Sequence, residues 1–141
     1  MPAIPEPPER IVGVLVELRA ILEWDIPEVL IAHQDDPDLH RRLGMDRPPT
    51  GAELGREVER AQARRLGGER LSLSIVEPDG RDCRGRVDVE RIDWESASAR
   101  VVAWVDPRLR GRGCEREAAE LACEWLRAAC GLRELQVQLI T

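Results

Sequence analysis

From residue 70 onward the chain alternates. Leu71, Leu73 and Ile75 are separated by Ser72 and Ser74, the period-two pattern of a strand with one buried face. Val87, Val89 and Ile92 repeat the pattern against Arg86, Asp88 and Glu90, after a turn at Pro78-Asp79-Gly80. A second turn at Glu95-Ser96-Ala97-Ser98 leads to Arg100–Val105 (RVVAWV), whose near-continuous apolar run predicts a strand covered on both faces. Together these predict an antiparallel meander. Leu135, Val137 and Leu139 alternate with Glu134, Gln136 and Gln138 and predict a last strand. Residues 10–22 (RIVGVLVELRAIL) read as the start of a sheet, although Leu15, Leu18 and Leu22 also keep helical spacing.

Helical signals lie between and after the strands. Asp25-Ile26-Pro27-Glu28 predicts a helix start, with Asp25 as cap and Glu28 reaching back to it. Thr50-Gly51-Ala52-Glu53 is a second capping box, opening a helix to about Leu66 that stops at Gly67-Gly68. A third helix is predicted from about Gly113 to Cys130, with Ala118, Leu121, Ala122, Trp125, Leu126 and Ala129 on its buried face and Gly131 as its stop. Residues 1–9 are Pro-rich and read as a loose arm. The order predicts one α+β domain over 10–141: a mixed, mainly antiparallel central sheet flanked by helices.

Composition narrows the chemistry. The 141 residues suffice for one domain, and a formal charge of −6 disfavours a general nucleic-acid binder. All basic residues are arginine, and Tyr and Phe are absent, so no tyrosine can act as acid or base. No 18-residue apolar run predicts a membrane span and no signal-peptide pattern opens the chain, so a cytoplasmic protein is expected. Cys83, Cys114, Cys123 and Cys130 form no Cys-x-x-Cys pair, and His33 and His40 lie far from them in sequence. No metal site is expected, and reduced, buried thiols are. Trp104 and Trp125 read as core anchors, Trp24 and Trp94 as loop residues that can line a cleft, and His33 as a partly exposed helix residue.

The stretch from Trp104 to Ala118 carries the candidate chemistry. A buried strand runs through a turn containing Gly111 and Gly113 into a helix start. First-turn N–H groups of a helix lack internal partners and carry the positive end of its dipole. The glycines remove Cβ atoms from the approach of an anion. Arg108, Arg110, Arg112 and Arg116 surround the turn, against Asp106 and Glu115. An ordinary strand–helix turn with solvated arginines fits the same residues. No Gly-Lys-Ser/Thr follows, so this is not a P-loop, and the third glycine of a dinucleotide fingerprint is missing. At a helix start the thiol of Cys114 is expected to be lowered in pKa.

Arg108-Leu109-Arg110-Gly111-Arg112-Gly113 resembles the Arg/Gln-x-x-Gly-x-Gly/Ala signature of the GCN5-related N-acetyltransferases. Ala103-Trp104-Val105-Asp106-Pro107 before it, and Glu117-Ala118, Glu124-Trp125 and Gly131-Leu132-Arg133 after it, are similar to the branch that acetylates ribosomal-protein N-termini. The resemblance spans about residues 10–141 and is most specific over 100–135. It implies acetyl-CoA as co-substrate and an amine, small-molecule or peptide, as acceptor.

By that resemblance, the backbone of Ala103, Trp104 and Val105 would flank the pantetheine arm. The N–H groups of Arg110, Gly111, Arg112, Gly113, Cys114 and Glu115 would hold the pyrophosphate, and Arg108 or Arg116 would reach outer phosphates. The acetyl carbonyl would lie in a splay between strands 100–105 and 134–140. In the family a helix and a hairpin follow the last strand, carrying an Asn and a thiolate-protonating Ser or Tyr; this sequence supplies neither, so a C-terminally short domain is expected. Arg100 and Ala103 stand where relatives often carry Glu and Tyr, and Asp88, Glu90 and Asp93 read as a solvated strand face. No catalytic acid or base is assigned. A non-catalytic coenzyme-binding or assembly module is the alternative. Strand 134–140 would be a sheet edge, and a homo-oligomer covering it is expected.

Overall fold

A computed structural model describes residues 2–141. Its centre is a six-stranded sheet in the order β1 (Ile11–Val12), β2 (Glu17–Ala20), β3 (Leu71–Val76), β4 (Gly85–Asp93), β5 (Ser98–Val105) and β6 (Glu134–Ile140). Every neighbouring pair is antiparallel except β5 and β6, which run parallel. Between β2 and β3 lie α1 (Ile26–Asp35), the short α2 (Leu39–Arg42) and α3 (Gly51–Leu66); α4 (Cys114–Trp125) connects β5 to β6. The expected mixed α+β architecture is the observed one.

The alternation of the strands sorts their side chains onto two faces. On one face Leu73, Val87, Val101 and Ala103 pack against Ala118, Ala122 and Leu126 of α4 and the turn after it. On the other, Val102, Trp104 and Ile140 meet Val29 and Ala32 of α1, Leu39 of α2 and Leu54 of α3. β5 is therefore covered on both sides, as its apolar run requires.

The second face is also polar. Arg19 reaches Asp25 through two bonds of 3.0 and 2.7 Å, and Ser74 Oγ donates to the same carboxylate at 2.6 Å. Arg86 bonds Glu57 at 2.8 Å and Asp88 at 3.2 Å, and Ser72 Oγ donates to Asp88 at 2.7 Å. Buried ion pairs thus share this face with Trp104.

Local details depart from the sequence pattern where tertiary partners outcompete local ones. Residues 10–22 form a hairpin rather than one strand, closed by Gly13 N–H donating to Val16 O at 3.0 Å. The arm is not loose: Ile4 is fully buried, its N–H donates to Arg65 O at 2.9 Å, and Arg65 Nη1 donates to its carbonyl at 2.7 Å. The Arg65 carbonyl, in the last turn of α3, also accepts from Gly68 N–H at 3.0 Å, so the arm shares it with the helix cap. Asp25 precedes α1 without capping it, because Arg19, Ser74 and the Leu22 N–H take its carboxylate. Glu28 does not fold back either; it bonds Arg84 at 2.9 Å. The box at α3 forms as expected, with Thr50 Oγ1 accepting from Glu53 N–H at 3.1 Å and Glu53 Oε1 accepting from Thr50 N–H at 3.0 Å. α4 gives way at Leu126–Cys130 to one wider π-type turn, which leaves Ala129 exposed rather than buried.

Candidate functional site

β5 ends at Val105, and Asp106 accepts from the N–H of Arg108 at 3.0 Å, starting a short turn over Pro107–Leu109. The chain then bends through Gly111 and Gly113, at φ +77° and +80°, a region that side chains with a Cβ rarely adopt. A Cβ at Gly111 would meet nothing within 4 Å, so the bend is open to solvent and unplugged. Glu117 N–H makes the first backbone bond of α4, to Gly113 O at 3.0 Å. The N–H groups of Gly111, Arg112, Gly113, Cys114, Glu115 and Arg116 meet no acceptor among the described residues. Six amides without a protein acceptor thus lie in the bend and the first turn at the positive end of a twelve-residue helix; the expected Arg110 amide is not among them, because it donates to Pro107 O at 3.4 Å.

Glu117 itself faces elsewhere. Its Oε1 accepts from Leu15 N–H at 2.8 Å and Val16 N–H at 3.1 Å, fastening the β1–β2 hairpin to the helix. Gly13 permits this approach: a Cβ there would lie 2.7 Å from Val16 O and from Leu121 Cδ1.

The surrounding arginines differ in commitment. Arg108 bonds Asp106 at 3.1 Å and Glu28 at 3.4 Å. Arg110 pairs with Asp36, which also takes Arg42. Burial pushes the Asp36 carboxyl up, and Arg110 and Arg42 together overcome this and hold it below the ordinary carboxylate range. Arg112 bonds the Arg108 carbonyl at 2.9 Å. Arg116 has no carboxylate partner among the described residues. Cys114 departs from expectation: burial raises its thiol pKa, and the Glu115 and Glu117 carboxylates add to this against the pull of Arg112. Glu115 is buried and its Oε2 lacks a partner.

The expected splay is absent over the paired length. β5 and β6 pair continuously from Ser98↔Glu134 to Trp104↔Ile140. The irregularity of this sheet lies instead between Glu90 and Asp93 in β4, where Arg91 takes φ +50°. Ala103 and Trp104 are bracketed by β4 and β6, so neither offers an open strand edge; Val105 pairs with Gly85 alone.

The acidic residues of β4 divide. Burial raises the carboxyl of Asp88, but Arg86, Arg70 and Ser72 bring it below its ordinary value, which fixes it as a structural carboxylate. Glu90 is half-buried on the same face, 4.0 Å from Arg70. His33 is buried rather than partly exposed; it lies edge-on to Trp104 at 5.9 Å, and burial lowers its pKa. Trp24 is 55% exposed beneath the Arg81 guanidinium and lines an open cleft with Pro7 and Arg65, whereas Trp94 is tied to Gly68 O at 3.0 Å and packs on the core. Among the described residues, no helix is long and apolar enough to cross a membrane.

The fold is shared with known proteins. The model of the acetyltransferase (GNAT) domain matches residues 16–140. The chain belongs to this acetyltransferase family. No curated protein matched the sequence. Among solved structures, an acetyl transferase from Salmonella typhimurium that modifies the N-terminal serine of ribosomal protein L7/L12 is similar at a TM-score of 0.77 and 17% identity, over 92% of this chain and 74% of that one. A ribosomal L7/L12 α-N-protein acetyltransferase is similar at 0.75 and 18%, over 92% and 70%. The spermidine N-acetyltransferase from Vibrio cholerae, solved with CoA and spermine, is similar at 0.71 and 15%, over 89% and 71%. At these identities the likeness is one of fold.

Proposed function

We propose that the chain binds acetyl-CoA at the glycine bend and transfers the acetyl group to a primary amine by direct attack. One observation carries this reading: the unengaged amides from Gly111 to Arg116 at the start of α4. Such amides bind a diphosphate through fixed dipoles, without waiting for a side chain to move. Arg116 is the side chain free to reach an outer phosphate, whereas Arg108 and Arg110 are held by carboxylates. The open Gly111 position leaves room for the phosphate oxygens. The pantetheine arm meets the sheet at Val105, the first β5 position beyond the β6 ladder. The amine acceptor is a small polyamine-like molecule or a peptide N-terminus, by analogy with the similar structures.

A second reading is favoured by the closed β5–β6 ladder. A protein that grips the nucleotide end of CoA without opening the sheet at Trp104 would be a coenzyme-binding module rather than a catalyst.

Calorimetry with acetyl-CoA and CoA tests both, followed by thiol release across a panel of amines. Binding with thiol release supports the transferase; binding without it supports the module. Gly111→Glu places a carboxylate on the diphosphate and is expected to abolish binding. No binding at millimolar ligand, or unchanged affinity in Gly111→Glu, removes the coenzyme reading.

A further inference from the structure

The β1–β2 hairpin lies at the sheet edge opposite β6. Glu17, the first residue of β2, pairs with Val76; Ile75 pairs with Gly85, and Gly85 pairs with Val105. The hairpin tip and the end of β5 therefore project from the same end of the sheet. The tip reaches the glycine bend itself: a Cβ at Gly113 would lie 4.0 Å from Leu15 Cδ1. Glu117 holds the tip there by accepting from the N–H groups of Leu15 and Val16.

Although fastened, the tip leaves its apolar side chains in water. Val12 is 67% exposed, Val14 83% and Leu15 43%. Isolated apolar residues on a surface are ordinary, but three within four positions form a patch, and exposed patches mark binding surfaces. This one borders the unengaged amides of Gly111 to Arg116. A ligand that fits both has an anionic group for the amides and a flat, weakly polar group for the aliphatic tip. The diphosphate of CoA carries two arms. On the reading above, the pantetheine arm meets the sheet at Val105, before the bend, whereas Leu15 lies at Gly113, on its far side. Direction and chemistry leave the tip to the nucleotide arm.

We propose that Val14 and Leu15 form a platform for the purine base of the coenzyme, an inference that rests on the coenzyme reading. The platform stands ready before the ligand arrives, because the Glu117 bonds and the close approach of Gly13 to Leu121 fix it on α4. It favours a nucleotide over a bare diphosphate.

Val14→Ser and Leu15→Ser keep the backbone bonds to Glu117 and change only exposed side chains, so both variants fold, checked by circular dichroism. In calorimetry each is expected to weaken CoA and ADP by about tenfold and to leave inorganic pyrophosphate unchanged. Val14→Cys in a Cys130→Ser background is expected to react quickly with a thiol reagent and to be shielded several-fold by saturating CoA. Leu66→Cys, exposed at the end of α3, is not. CoA binding to which both serine variants are indifferent, or a Val14→Cys thiol left unshielded, overturns the platform and leaves the coenzyme reading standing. Equal weakening of all three ligands also overturns it, since the tip then acts only by positioning α4. A wild type that binds no CoA removes the coenzyme reading and the platform together.

Discussion

The carboxylate of Asp36, just past the C-terminal end of α1, accepts from the guanidinium of Arg110, in the bend that leads into α4. Arg42 of α2 shares that carboxylate. One acidic group thus holds the helical layer to the candidate phosphate turn. Asp36→Asn is expected to destabilise the fold by about 2 kcal/mol, since charge-assisted hydrogen bonds are worth roughly 1.5–3 kcal/mol. A double-mutant cycle with Arg110→Ala in urea should give a coupling of at least about 0.5 kcal/mol; additive losses would mean the contact does not hold the layers together.

This tie was not legible in the sequence. Asp36 and Arg110 are 74 positions apart, and Asp35-Asp36-Pro37 reads locally as a helix stop. What was legible depended on local physics. The Thr50–Glu53 box, the serine-spaced β3, the covered β5 and the bend at Gly111 and Gly113 all follow from short-range rules. The reading failed where a distant partner claimed a residue. Asp25 went to Arg19 and Ser74 instead of capping α1, Ile4 was drawn into the core, and burial outweighed the helix dipole at Cys114. The closed ladder between β5 and β6 depends on register, which single-strand patterns do not encode.

The Arg19–Asp25 pair is buried and shared with Ser74. Asp25→Ala leaves Arg19 buried without its counter-charge, and a loss of about 3–5 kcal/mol is expected from urea unfolding. Ser74→Ala removes one bond to the carboxylate and should cost about 1–2 kcal/mol.

Acid should loosen the fold wherever a carboxylate is held low, at Asp25 and Glu53 as well as at Asp36 and Asp88. Burial raises the Asp25 carboxyl, but Arg19, Ser74 and the Leu22 N–H bring it below its ordinary 3.8. Glu53 is lowered from 4.5 to about 2, first by Arg47 and then by the Thr50 backbone. Both groups are depressed in the folded state, so their contribution is present above the ordinary values and is lost as pH falls through the folded ones. Melting temperature should be flat above about pH 5 and fall progressively from 4.5 towards 2. In Glu53→Gln, the part of that fall due to the α3 cap should be missing.

Thiol titration checks the reassignment of Cys114. Burial raises all four thiols, and Cys130 alone is half-buried rather than buried. An aromatic disulfide reagent at pH 7 should find no fast thiol, with Cys130 reacting first; rapid labelling of Cys114 would restore an activated thiolate at the bend.

Negative charge is favoured in the opening turn of a helix, where the first N–H groups lack internal partners. Here Glu117 is turned outward by the amides of Leu15 and Val16. The first hairpin and the opening turn of α4 are therefore one mechanical unit, and a change that loosens residues 13–16 is transmitted to the segment that follows the bend.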